Sequence, residues 1–188
     1  MPIYEKRSVI DTPASSLFAW HTRPGAFERL APPWEHLRIV SRHGGISDGS
    51  RVTLELRRGL FKTRWEALHR DFVEGRQFTD VQVAGPFKRW EHTHKVEPID
   101  DGRSALIDYV DYALPLGPLG ALAGGVVARR MMDRLFAFRH RRIAQDLARH
   151  DAIGRGRRLR LVLTGRTGWV LTQLAAFLGT GGHYVRLF

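Results

Sequence analysis

Phe78–Val96, FTDVQVAGPFKRWEHTHKV, reads as two strands joined by a tight turn at Gly85-Pro86. Period-two alternation sets Trp90, His92, His94 and Val96 on one face of the second strand, and Arg89, Glu91, Thr93 and Lys95 on the other. The charged set has the character of a solvated sheet face. The other set joins apolar bulk to two imidazoles, more polarity than a purely structural core requires. A mostly apolar inner face with a few polar groups is the usual lining of a small-molecule cavity.

On either side of this pair the pattern continues. Pro2–Ile10 alternates as a first strand, and Asp11-Thr12-Pro13 ends it and supplies a helix N-cap. Ala14–His21 and Pro24–Leu30 read as two short helices, and Ala31-Pro32-Pro33-Trp34-Glu35 as a rigid loop presenting Trp34. Leu37–Ser41, Arg51–Arg57, Thr63–Asp71, Gln77–Val83, Phe87–Val96 and Ala105–Ala113 follow as strands, with Gly, Asp and Pro in the turns between them. Such short, regular spacing argues for a sequential antiparallel sheet rather than βαβ units. Leu114–Gly125 is a Pro/Gly-rich lead-in to a long helix, Val126–His150, whose apolar stripe runs through Val127, Met131, Leu135, Phe138, Ile143 and Leu147. The fold class is therefore α+β. An antiparallel sheet of about seven strands wraps one long helix and leaves a space beneath it.

Length and composition narrow the function. At 188 residues the chain can bury a core without staples, and the absence of cysteine excludes disulfides, a thiol nucleophile and a cysteine zinc site. The N-terminus has no signal-peptide core, and no run approaches the ~18 apolar residues of a membrane span, so a soluble cytoplasmic protein is expected. Of the formal charge of +11, a net +10 falls from Arg129 onward, with 13 Arg against 3 Asp. Such basicity suits nucleic acid or an anionic membrane surface. The basic run RGRRLR (155–160) lacks interleaved aromatics and no nucleic-acid motif is present, so no specific nucleic-acid partner is expected. Peripheral contact with anionic membrane remains open, as does the oligomeric state.

APPWE (31–35), FTDVQVAGPFKRWEHTHKV (78–96), LIDYVDYALPLG (106–117) and FAFRHRRIAQDL (136–147) resemble the START-like or helix-grip superfamily. More narrowly, they are similar to a bacterial subfamily labelled cyclase/dehydrase. The resemblance covers about residues 2–150, and GPF-x-x-W-x-H-x-H is its most specific part. It implies a hydrophobic cavity under the long helix. After a basic linker (151–158), residues 159–188 resemble the first β-α-β of a dinucleotide-binding domain of the epimerase type, with a strand over Leu159–Thr164, TGRTGWVL (164–171), a helix to Leu178 and a second strand to Leu187. Gly165 and Gly168 stand where that pattern has glycines, but Leu171 replaces the third. A single β-α-β does not hold a dinucleotide. The tail reads as a truncated remnant, and neither a bound cofactor nor dehydrogenase activity is expected.

The site expectation is a ligand cavity lined by Trp34, Trp65, Phe78, Gln82, Phe87 and Trp90, with His92, His94, Tyr109 and Tyr112. Trp34, on its Pro-Pro loop, is expected to close the cavity mouth or cap a helix end. His92-x-His94 also has the spacing of a strand-borne metal pair, which needs a third ligand from His69, Asp71 or Asp80. No carboxylate shares their face of their own strand, so the reading is polar lining or hydrogen-bonded structural histidine, with no metal. For acid–base chemistry the candidates are His92 and His94, with Asp80, Asp108, Tyr109 and Tyr112 behind them. Arg139 and His140 are expected to face the sheet and pair with Asp80 or Asp108. The leading expectation is non-catalytic binding of a hydrophobic or aromatic small molecule. A cyclase- or dehydratase-like enzyme using His92 or His94 is the alternative, and a module docking to membrane or partner through its basic third is another.

Overall fold

The computed structural model describes residues 2–115, 117–153, 158–166 and 168–188. Strand β1 (Ile3–Ile10) leads into helices α1 (Ala14–Thr22) and α2 (Ala26–Leu30). Six further strands follow: β2 (His36–His43), β3 (Arg51–Arg58), β4 (Phe61–Val73), β5 (Gln77–Ala84), β6 (Arg89–Pro98) and β7 (Ser104–Ala113). They form one antiparallel sheet in the order β1-β7-β6-β5-β4-β3-β2. The meander is sequential except that β1 crosses over to close against β7. Register irregularities in the β4–β5 ladder, between Glu66 and Ala67 and between Arg70 and Val73, bend the longest strand. Asp71 lies within the second, with φ 56. The bend gives the sheet a concave face, and helix α3 (Gly117–Ile153) lies in it against β1 and β7.

Several expectations need correction. The Asp11-Thr12 cap does not form: Pro13 is the N-cap residue with no side-chain hydrogen bond, and the Thr12 hydroxyl is buried without a partner. Strand β6 begins at Arg89 rather than Phe87, because residues 85–88 all belong to the turn. Helix α3 starts at Gly117, so most of the supposed lead-in is helical, and it continues to Ile153, into the first residues of the expected linker. Residues 154–157 of that linker lie outside the described residues.

The apolar stripe of α3 departs from the expectation only in its first half. Val127 and Met131 are exposed and Met132 and Phe136 buried in their place, whereas Phe138, Ile143 and Leu147 are buried as expected. The first half of the helix carries apolar residues on several faces, so hydropathy alone could not choose. His140 and Asp146, both buried, fix the phase.

Two large apolar clusters and a smaller one, Val52, Leu54 and Ala67, divide the interior. Leu17, Phe18 and Trp20 of α1 pack with Phe78, Val96, Leu106, Ile143 and Leu147 at one end. Tyr4, Trp90, Val110, Tyr112, Met132 and Phe136 form the other. Each fully buried large side chain contributes about 2 to 3 kcal/mol.

The tail folds as a parallel pair, β8 (Arg160–Leu163) and β9 (Tyr184–Leu187), joined by α4 (Trp169–Thr180). It docks on α2 through close backbone approach. A β-carbon on Gly179 would stand 2.4 Å from the Pro24 carbonyl oxygen, and one on Gly25 (φ +93) 2.4 Å from that of Ala176. Gly179→Val is therefore expected to undock the tail while leaving the seven-stranded sheet intact. Limited proteolysis between α3 and β8 should accelerate at least several-fold, with unchanged near-UV signal from Trp20 and Trp90; an unchanged cleavage rate would contradict this packing. Among the described residues no helix is long and apolar enough to cross a membrane.

Candidate functional site

Alternation in β6 holds as read: Trp90, His92, His94 and Val96 are buried while their neighbours in the strand are not. Register then brings carboxylates to the histidines. Asp80 on β5 pairs with His92, and Asp108 on β7 pairs with His94. Partners directly opposite in an antiparallel ladder share a face, so two imidazoles lie between two carboxylates.

The contacts are short. His92 Nε2 donates to Asp108 Oδ1 at 2.8 Å, and His92 Nδ1 lies 3.0 Å from Asp80 Oδ2. His94 Nδ1 lies 2.7 Å from Asp108 Oδ1, and His94 Nε2 3.2 Å from Asp80 Oδ2. From α3, His140 Nε2 donates to Asp108 Oδ2 at 2.6 Å, and its Nδ1 meets Ser8 Oγ of β1 at 2.8 Å. The His92 and His94 ring centres are 3.8 Å apart. All members except Asp80 and Ser8 are buried. The expected pairing of His140 with Asp108 is thus present. Arg139 instead donates to the Leu30 carbonyl at 3.3 Å, with its charge acting on Asp108 and Asp80 from a distance.

This polar cluster lies between the two large apolar ones. On one side Phe78 stacks on His94 at 4.3 Å, with His21 beyond. On the other, Trp65, Phe87, Trp90 and Tyr112 form an edge-to-face group, and the buried Trp90 indole N–H has no acceptor. Six of the ten expected lining residues (Trp65, Phe78, Phe87, Trp90, His92 and His94) therefore face inward around the cluster, with Tyr112 beside them. Three are placed otherwise. Tyr109 pairs with Thr93 and Glu5 on the outer face, since its neighbours Asp108 and Val110 point in. The Gln82 amide is used in the β5–β6 turn, donating to the Phe87 carbonyl at 2.7 Å and accepting from the Phe87 N–H at 3.3 Å. Trp34 packs edge-on against Phe138 with Arg134 4.1 Å over its ring, on a flank of α3 rather than at a mouth.

A groove of about 590 Å³ lies along the β2–β3 edge, lined by His36, Leu37, Arg38, Glu55, Arg57 and Gly59, and holds none of the buried titratable groups. Partly buried inner-face residues in the β2–β5 half include Leu37, Ile39, Leu56, Trp65 and Asp80. Of the other metal-ligand candidates, Asp71 turns to Arg70 at the surface. His69 lies opposite Asp80 in register, with Nδ1 buried and unpartnered.

Two members escaped sequence reading. Ser8 left no signal beyond strand alternation. His21, buried on α1 with its Nδ1 donating to the Leu17 carbonyl at 2.9 Å, shares the i, i+3, i+4 face of Leu17 and Trp20, and that spacing could have shown it.

The environment splits the histidines. The His21 pKa is pushed down to about 4, first by burial and then by the charge of His94. Burial also pulls on His92, but the Asp80 charge and hydrogen bonds to Asp108 and Asp80 outweigh it and raise its pKa to about 9. Asp80 and Asp108 are held well below the usual carboxylate range, the imidazoles overcoming the effect of burial. An unfolded imidazole titrates near 6.5. The His92 contribution to stability is therefore complete below about pH 6.5 and lost as pH rises through 9. The His21 contribution is present above about 6.5 and lost as pH falls toward 4, about 3 kcal/mol over the whole window. The urea midpoint should peak near neutrality and fall on both sides, and His21→Gln should flatten only the acid limb. A midpoint flat from about pH 4.5 to 9 would refute this balance.

Residues 10–138 match the family described as polyketide cyclase / dehydrase and lipid transport. The chain belongs to this family. No match was found among curated proteins. Of solved structures, the nucleoside-diphosphate sugar epimerase from Corynebacterium glutamicum is 30% identical, with a TM-score of 0.74 over 98% of this chain and 38% of the epimerase. The chain thus spans little more than a third of that protein, and the match includes the tail. An aromatase/cyclase from a Streptomyces species is 16% identical with a TM-score of 0.60, over 81% of this chain and 98% of the enzyme. Norcoclaurine synthase from Thalictrum flavum, solved with dopamine and hydroxybenzaldehyde, is 14% identical with a TM-score of 0.61, over 79% and 87%. These last two share the family's helix-grip fold, and at such identity the likeness extends no further.

Proposed function

We propose that this family member binds a hydrophobic or aromatic small molecule between the concave sheet face and α3, without chemical conversion. The observation that carries the reading is the Trp65–Phe87–Trp90–Tyr112 group set directly against the buried Asp/His cluster. An apolar wall with a few convergent polar groups selects a largely apolar ligand and fixes its orientation. Trp65 and Phe87 are only partly buried and line the side of the interior that α3 does not cover. Their rotation opens room for a guest, whose polar end then reaches Asp80.

Saturation of the cluster favours binding over acid–base catalysis. Each ring nitrogen of His92, His94 and His140 already faces a carboxylate or a hydroxyl. A general base needs a lone pair within hydrogen-bond reach of the substrate proton, and here every ring nitrogen is turned to Asp80, Asp108 or Ser8 instead.

Native mass spectrometry of the purified chain against a panel of fatty acids and aromatic polyketides should detect a one-to-one adduct, and titration should quench tryptophan fluorescence. Trp65→Ala is expected to weaken the best ligand at least about tenfold. No adduct with any member of the panel would remove the proposal. Product formation that disappears in His92→Gln or His94→Gln while binding persists would make the protein an enzyme instead.

A further inference from the structure

We propose that Asp80, His92 and His94 form a binding site for a first-row divalent transition metal of the zinc class, reversing the metal-free reading of the sequence. One donor atom from each lies within 4.8 Å of the other two. Both His92 Nδ1 and His94 Nε2 converge on the same oxygen, Asp80 Oδ2, at 3.0 and 3.2 Å. Donors bound at 2.0–2.1 Å to one tetrahedral zinc stand roughly 3.3 Å apart. Two of the three donor pairs are therefore already at ligand–ligand spacing, and the third lies within 4.8 Å.

The surroundings carry the outer half of such a site. The remaining nitrogens, His92 Nε2 and His94 Nδ1, both lie on Asp108 Oδ1, at 2.8 and 2.7 Å. A carboxylate accepting the N–H of a ligating imidazole fixes its tautomer and ring orientation, and leaves the other nitrogen's lone pair for the metal. Here one carboxylate does so for two imidazoles at once, and is itself held by His140 from α3. The two carboxylates, Asp80 and Asp108, on either side of the imidazoles favour a dication there. Asp80 is the most exposed of the three, so the ion enters past it. His69, with Nδ1 unpartnered, lies opposite Asp80 in register on the adjoining strand. Two imidazoles and one carboxylate suit zinc, cobalt or iron(II) rather than calcium or magnesium, which prefer all-oxygen sets.

The test uses the full chain after treatment with chelator. Cobalt(II) should bind in one equivalent and produce the intense visible bands of low-coordinate nitrogen–oxygen ligation, and zinc should displace it. Asp80→Asn and His94→Gln should each weaken zinc at least about 100-fold, whereas His36→Gln and His43→Gln on the sheet edge should change nothing. Circular dichroism confirms that each variant is folded. Should His94→Gln fail to fold, the wild-type cobalt spectrum and the partly exposed Asp80 decide. Pale octahedral cobalt, no binding, or binding unchanged in Asp80→Asn overturns the proposal. No organic ligand is present in these titrations, so this site and the proposed small-molecule function can fail independently.

Discussion

Asp108→Asn is expected to lower stability by about 3 to 5 kcal/mol, more than any other isosteric change in the sheet. The Asp108 carboxylate is buried and neighbours three imidazoles from three directions, at 2.6, 2.7 and 2.8 Å. Asparagine keeps its volume but removes the charge and turns an amide N–H₂ toward at least one ring nitrogen. The loss is therefore electrostatic and not a cavity. For a chain of this length each kcal/mol moves the melting temperature by about 2 to 4 °C, so the fall should be roughly 6 to 20 °C. Replacing Asp108, His92, His94 and His140 together by apolar residues of similar volume should recover much of it, because the polar groups then left, Asp80 and Ser8, are only partly buried. Thermal unfolding followed by circular dichroism measures both. A single variant within about 1 kcal/mol of wild type would mean that the cluster is solvated and not a closed network.

A comparable loss is expected for Asp146→Asn. Arg29 of α2 donates through Nε and Nη2 to Asp146 of α3, at 2.7 and 2.6 Å, and through Nη1 to Gln173 of α4 at 3.1 Å. Gln173 in turn donates to the Glu28 carbonyl at 3.2 Å. The Arg29 and Asp146 side chains are 9% and 3% exposed, so breaking the pair strands an arginine charge in the interior. The expected loss is about 3 to 5 kcal/mol. Arg29→Met with Asp146→Leu should be close to neutral, since burying a matched ion pair costs about as much as its attraction returns. Gln173→Ala should leave the sheet untouched and act on tail docking alone. Equal loss in the single and double variants would show that packing, not charge, is at stake.

How much could be read in advance depended on which physical rule set each feature. Strand alternation is local, so the inward row Trp90, His92, His94 and Val96 was legible from one segment. Its partners were not. That Asp80 and Asp108 lie against those rings follows from register, which the lengths of two turns determine. Asp80 and Asp108 were candidates by residue type alone. Parity in β7 should have separated Tyr109 from Tyr112, which lie an odd number of residues apart and so face opposite ways. The inward turn of His140 was expected, but the start of the α3 inner face was obscured by apolar residues on several sides, with Val127 and Met131 exposed beside buried Met132 and Phe136. The burial of Asp146 was not legible either, because hydropathy counts it as surface. The Arg29–Asp146 pair joins elements 117 residues apart, and no local pattern announces it.

The crossover of β1 bears on the time course of folding. β2 to β7 meet through short turns, but β1 reaches its partner only when Tyr4 finds Val110 and Ile10 finds Ser104, across most of the intervening chain. Contacts of such separation carry a large loop-closure cost before they return any energy, and they form late. Helix α3 rests on β1 and β7, so its inner face is complete only after that closure. The Ser8–His140 bond joins the two latecomers, and the His140–Asp108 bond ties them to the meander. A chain stalled with its six-stranded meander formed would hold His92, His94 and both aspartates without the element that encloses them. The Asp/His cluster is therefore a product of the last step of folding, and its assembly is a sensitive reporter of whether the chain has reached its native state.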